Sequence, residues 1–102
     1  MSKYGIIISE AAVRQLGDCV LFIAKDSISA ADKLRDTLIG AIRSLEEFPA
    51  RYPFFNEPYI PANKYHKMTI ENRYLVLYQI RDDKVYVDYV VDCRRDYKWL
   101  VR

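Results

Sequence analysis

The chain is 102 residues long, 51% hydrophobic, with 16 Lys and Arg against 14 Asp and Glu for a formal net charge of +2. Those figures predict one globular domain spanning residues 1–102 and exclude disorder, collagen-like repeats and low complexity as descriptions of the whole. No apolar run approaches the roughly 20 residues of a membrane span, and Ile6-Ile7-Ile8, with Glu10 close behind, is too short for a secretory leader, so the expected location is the cytoplasm.

Cys19 and Cys93 are the only cysteines and His66 the only histidine. Two distant thiols and one imidazole cannot supply a zinc site, and the cysteines are expected to be packing residues. No metal or other cofactor is expected. The charge is unevenly spread. Residues 1–50 carry six basic and seven acidic side chains, and residues 51–102 carry ten and seven. Arg94, Arg95, Lys98 and Arg102 stand against Asp96 in the last ten residues. This is a weak basic end, well short of the basic stripe of a nucleic-acid binder.

In chain order, residues 3–8 (KYGIII) read as a short strand rich in β-branched residues. Ser9 is a plausible N-cap, and Val13, Leu16, Val20 and Ile23 mark the apolar face of a helix over about residues 10–25. A second helix follows Asp26-Ser27-Ile28, with Ser29 and Asp32 as a near capping box. Leu34, Leu38, Ala41, Ile42 and Leu45 form its buried stripe. Pro49 should stop it near Glu47. Residues 48–64 hold all four prolines together with Phe48, Tyr52, Phe54, Phe55 and Tyr59. Such a loop is expected to pack onto the domain.

Three strands follow: 65–71, 73–81 and 84–92, with turns at Asn72 and Asp82-Asp83. Strict alternation places Val85, Val87, Tyr89 and Val91 on one face of the last strand and Tyr86, Asp88, Val90 and Asp92 on the other. The fold class is therefore α+β, ordered β-α-α-β-β-β: an antiparallel sheet with a helical hairpin packed on one face.

Four segments in this order resemble the RelE/ParE superfamily, toxins of bacterial type II toxin–antitoxin modules. They are the opening strand into ISEAAVRQL, the helix ending SLEEFPARYP, YHKMTIENRYLVLYQI, and VYVDYVVDCRRDY. The resemblance implies this same fold, with the first strand joining the sheet. It implies a growth-inhibiting protein, often a plasmid-stabilisation factor, silenced by a cognate antitoxin. Operator DNA would be met only through that antitoxin. The cellular target is either DNA gyrase or ribosome-bound mRNA, according to the branch.

Metal-free RNA cleavage needs groups to activate the 2′-OH, to stabilise the phosphorane and to protonate the leaving oxygen. The ribosome-dependent branch supplies them from Lys and Arg on the sheet and a C-terminal Tyr or His. Here the candidates are His66, Arg73, Arg94, Arg95 and Tyr97, with Lys67 adjoining. The set is incomplete. His66 and Lys67 alternate onto opposite faces. Leu75 stands where the central-strand arginine is expected, and Arg73 is displaced from that place. Low net charge also suits ribosomal RNA poorly. The reading leans to a gyrase-directed, ParE-like toxin. The alternatives are a metal-independent, RelE-like mRNA endoribonuclease and a non-toxic interaction module of the same fold. Each candidate also has a plainer role. His66 can be a packed sheet residue, Lys67 and Arg73 ordinary strand charges, and the arginine pair partners of Asp92 or Asp96. The nine tyrosines and Trp99 suit a protein interface as well as they suit base stacking.

Overall fold

A computed structural model describes residues 3–95 of the chain. Its elements run β1 (Gly5–Ile8), α1 (Glu10–Ala24), α2 (Ile28–Arg43), two single 3-10 turns (Ser44–Glu46 and Pro49–Arg51), β2 (His66–Ile70), β3 (Tyr74–Arg81) and β4 (Lys84–Asp92). The four strands form one sheet in the order β1-β4-β3-β2. β2, β3 and β4 are the expected antiparallel meander, whereas β1 lies parallel to β4, so the sheet is mixed. Parallel pairing needs a long crossover, and the helical hairpin together with the rest of the chain supplies it.

Ser9 caps α1, its side chain accepting from the Ala12 N–H, as expected. The cap of α2 is Ser27, not Ser29. Ser27 has extended backbone angles and accepts from the Ala30 N–H, while Ser29 is already inside the helix. The α-helical bonding of α2 ends at Arg43, and a 3-10 turn carries the chain to Glu46. Phe48 then adopts a left-handed φ of 52° ahead of Pro49, which opens the next turn. Arg51 folds back so that its guanidinium donates to the carbonyls of Ser44, Glu47 and Phe48. A cation there satisfies orphan carbonyls at the negative end of a helix.

The inward face of α1 differs from the sequence expectation. Val13 is 58% exposed, while Ala12 and Cys19 are buried, with Leu16 and Ile23 partly buried beside the core. The sets 12-16-19-23 and 13-16-20-23 both step by threes and fours, so periodicity alone does not choose between them. Small side chains at 12 and 19 admit a close approach to the sheet. The stripe on α2 is as read: Leu34, Leu38, Ile42 and then Leu45 are buried, with Ala41 partly so. Against them pack Met68, Ile70, Tyr74, Val76, Tyr78, Val85, Val87 and Val90 from the sheet.

The face of β4 switches partway along. Leu77 pairs with Tyr89 and Tyr78 with Val87, leaving Asp88 as the extra residue of a β-bulge. Beyond it Val90 and Asp92 are buried, Val90 within the helix-side core, and Tyr89 and Val91 pack with the opposite cluster, against strict alternation. The bulge is docked on the start of α1. Ser9 Oγ donates to the Asp88 carbonyl at 2.9 Å, and the Val90 N–H donates to Gln15 Oε1 at 2.8 Å. β1 has ended at that level, so Gln15 takes the place of a neighbouring strand for β4.

The proline-rich loop packs as expected, but unevenly. Phe55 is buried, while Phe48 and Tyr59 are largely exposed. Its backbone covers the outer edge of β2: the Phe55 N–H donates to the Tyr65 carbonyl, and the Lys67 N–H to the Pro53 carbonyl. The Tyr78 hydroxyl donates to the Pro49 carbonyl from inside the core. Burial pushes the Tyr78 phenol up to about 12.

Two stability outcomes are expected. Gln15→Ala strands the buried Val90 N–H and should cost about 1–3 kcal/mol in urea unfolding. At Gly17, in mid-helix, an added methyl meets nothing within 4 Å, so Gly17→Ala should raise stability by about 0.5–1 kcal/mol.

Candidate functional site

At the end of β4 a carboxylate gathers the basic residues. Asp92 has 0% exposure. Arg73, in the turn before β3, grips it side-on, Nε to Oδ1 at 3.0 Å and Nη2 to Oδ2 at 2.9 Å. Arg95 Nε donates to Oδ2 at 3.1 Å, and the Arg94 backbone N–H donates to Oδ1 at 3.0 Å. Main-chain bonds fix the turn that makes this possible: Cys93 N–H to the Arg73 carbonyl at 2.8 Å, and Arg95 N–H to the Asp92 carbonyl at 3.0 Å. Phe22 of α1 lies beneath, with the Arg95 guanidinium 4.5 Å and that of Arg73 5.9 Å from its ring centre. Arg73 also lies 5.2 Å from the Tyr74 ring.

The electrostatics of Asp92 are a contest. Burial on its own would raise its carboxyl above the ordinary range. The hydrogen bonds from Arg73, Arg95 and the Arg94 backbone outweigh burial and hold it below that range. Charge-assisted bonds from planar guanidinium groups suit this task.

Arg94, an exposed residue, lines an open groove of about 300 Å³ together with Glu71, Arg73, Tyr74, Ile23, Ala30 and Leu34. Arg73, Arg94 and Arg95 are thus brought together as the sequence suggested. Tyr97 lies outside the described residues, as does Trp99.

His66 is elsewhere. Ile70 pairs with Tyr74, whose partner on β4 is Asp92, whereas His66 pairs with Tyr78. The separation along β2 is four residues, or about 13 Å at strand rise. The His66 ring is buried between Phe54, centroids 4.2 Å apart, and Tyr78, 5.3 Å apart. Its Nδ1 lies 2.7 Å from the Tyr52 carbonyl. A carbonyl only accepts, so the proton is on Nδ1. Lys67, on the opposite face, stands 5.8 Å over the Phe55 ring.

An apolar cluster occupies part of that opposite face: Leu75, Leu77, Val91, Phe55 and Tyr65 are buried together there. Toward the bulge, Gln79 donates to Asp88 Oδ2 at 2.7 Å. Burial, reinforced by the charge of Asp88, pushes the Tyr65 phenol up to about 12. Among the described residues no cluster of His, Cys, Asp and Glu could hold a metal ion, and no described helix is long and apolar enough to cross a membrane.

The sequence offers Asp92 as a partner for the arginine pair, and the ion pair with Arg95 is present. It does not offer Asp92 to Arg73, and alternation sets it on the face opposite Val85 and Val87 until the bulge turns it to their side. Phe22 is off the stripe that periodicity marks, and an aromatic near the end of an amphipathic helix is the one hint it offers.

The sequence matches the family described as the ParE toxin of the type II toxin–antitoxin system, parDE, over residues 6–97. The chain belongs to the ParE toxin family. No curated protein matches the sequence significantly. Among solved structures, a chain of the chromosomal ParDE toxin–antitoxin system from P. aeruginosa superposes with a TM-score of 0.71 at 9% identity, covering 88% of this chain and 96% of that one. A conserved hypothetical protein from Helicobacter pylori, solved in solution, gives 0.57 at 12% identity over 87% and 93%. At such identities the likeness is one of fold.

Asp92→Ala leaves two partly buried guanidiniums facing an apolar floor, and should cost about 3–5 kcal/mol in chemical unfolding. The carboxyl of Asp92 titrates lower in the folded chain than in the unfolded one, so its contribution is complete above the ordinary carboxylate pKa and is lost as pH falls through the folded value. The stability gap between wild type and Asp92→Asn should therefore hold from pH 7 to about 5 and shrink below about 4. A gap that widens on acidification would count against this electrostatic account.

Proposed function

We propose that this toxin arrests growth by binding DNA gyrase and not by cutting RNA, and that a cognate antitoxin holds it silent. The observation that carries this reading is the composition of the sheet face opposite the helices. A nuclease of this superfamily needs cationic and acid–base groups converging on one surface. Here that face buries Leu75, Leu77 and Val91 under Phe55 and Tyr65. His66 is on the other face, with its Nδ1 proton committed to the Tyr52 carbonyl. Arg73 and Arg95 converge on Asp92, which neutralises part of their charge and holds their donors. What remains is suited to recognising a protein: fixed arginines, exposed aromatic rings at Phe48 and Tyr59, and exposed apolar residues on α1 such as Val13 and Leu21. The match to the ParE family agrees with the gyrase-directed branch. No cofactor takes part. Operator DNA is reached only through the antitoxin, and plasmid stabilisation follows where such a module is carried on a plasmid.

The test is pulse labelling after tightly controlled induction of the toxin alone. Thymidine incorporation should fall within minutes, before methionine incorporation, and purified chain should inhibit gyrase supercoiling. If methionine incorporation falls first and ribosome-bound mRNA is cut, the chain is an endoribonuclease and the reading is wrong. Co-expression of the adjoining antitoxin gene should restore growth. Arg94→Ala combined with Arg95→Ala should reduce toxicity without loss of soluble expression.

A further inference from the structure

We propose that the free chain pairs with a second copy of itself through the outer face of α1, the two helices crossing antiparallel at Gly17. Pairing of this kind holds whichever cellular target the toxin has.

α1 carries more apolar side chains than its contact with the core uses. Ala12, Leu16, Cys19 and Ile23 belong to the core contact. On the outer side Val13, Gly17 and Leu21 stand four residues apart and form one row along the helix, with Val20 and Ala24 in the row beside it. Val13 is 58% and Leu21 65% exposed, with Gly17 half-buried between them. Single exposed apolar residues are ordinary, but a contiguous row is a surface that water disfavours. Gly17 is the notch in that row. A mid-helix glycine destabilises a chain relative to alanine. No described neighbour requires it, since an added Cβ meets nothing within 4 Å. A notch in a row of this spacing lets the matching row of a second helix cross it closely.

The charges beside the row select a second copy and set its direction. Glu10, Arg14, Asp18 and Lys25 lie along one border of it, all exposed and alternating in sign. Among the described residues none of the four is ion-paired. A two-fold axis at Gly17 makes this face complementary to itself. Val13 and Leu21 are each four residues from Gly17, so Val13 of one copy meets Leu21 of the other. Glu10 stands seven residues before Gly17 and Lys25 eight after it, so the two come level across the axis. Arg14 comes within about 3 Å, measured along the helix, of Asp18 in the other copy. A parallel arrangement would instead set each charge against its like. Antiparallel helices also oppose their dipoles. One helix of about 22 Å from each copy makes a small interface, so the dimer is weak and depends on concentration. A protein that uses Val13 or Leu21 competes with it.

Sedimentation equilibrium of the full chain, freed from any antitoxin by denaturation and refolded, reads the pairing. The mass should rise from one copy toward two over about 1–100 micromolar. Gly17→Gln fills the notch and is a better helix former. Its melting temperature should hold or rise, while its dimer dissociation constant should increase about tenfold or more. Glu10→Lys should weaken the dimer, and adding Lys25→Glu to it should restore the affinity. In a Cys93→Ser background, Gly17→Cys should join two copies by a disulfide under air with a copper catalyst, and the same background with Gly17 retained should not, because Cys19 is buried. A wild-type chain that stays a single copy at about 100 micromolar overturns the proposal. A dimer that Gly17→Gln leaves unchanged also overturns it, since the contact then lies elsewhere. A single-copy wild type whose antitoxin affinity falls with Gly17→Gln would give this face to the antitoxin instead.

Discussion

The extra residue at Asp88 is the constraint on which the rest of the molecule turns. β4 pairs with β1 through Val87 and with β3 along its whole length. At Asp88 the ladder slips by one residue, just where β1 gives way to α1. The slip would leave buried backbone groups without partners, and Ser9 and Gln15 supply them. The same slip turns Val90 and Asp92 toward the helices. The position of α1, the closure of the core and the orientation of the arginine corner thus follow from one inserted residue and its hydrogen bonds.

The arginine corner illustrates what a buried ion pair contributes. Removing Asp92 alone is costly, but desolvating it consumes much of the gain from its partners, so its net worth to stability is modest. Its clearer effect is geometric. The turn Asp92–Arg95 is tied by side-chain and main-chain bonds to the turn before β3, so residues far apart in sequence share one surface. Phe22 lies within cation–π distance of the Arg95 and Arg73 guanidiniums, a contact that favours Arg over Lys at these positions.

Much of this was legible in the residues. The three meander strands stood out because β-branched runs were punctuated by Asn72 and Asp82-Asp83, and the hairpin because Leu34, Leu38, Ile42 and Leu45 kept helical spacing. What escaped has a common cause. Ala12 and Cys19 carry too little hydrophobic signal to outrank Val13 and Val20, although a close helix–sheet contact needs small side chains. The bulge has no marker residue, so alternation misassigned everything after Asp88. Ser27 and Ser29 are equally good caps by composition, and backbone angles decided between them. For the site, sequence gathered the arginines and offered Asp92 as a partner for Arg94 and Arg95, but it did not tie Asp92 to Arg73 or show that His66 sits four residues further along the sheet.

The two margins of the sheet are not alike. β2 is bordered by the main chain of residues 53–55, whereas β1 is the terminal strand of the opposite side and is largely exposed. The cover on β2 lies at its start, where the loop takes the backbone groups of Tyr65 and Lys67 that another strand would use. Where that cover lies, a further strand has no backbone groups to pair with, so the loop acts as a guard against edge-to-edge growth on the β2 side.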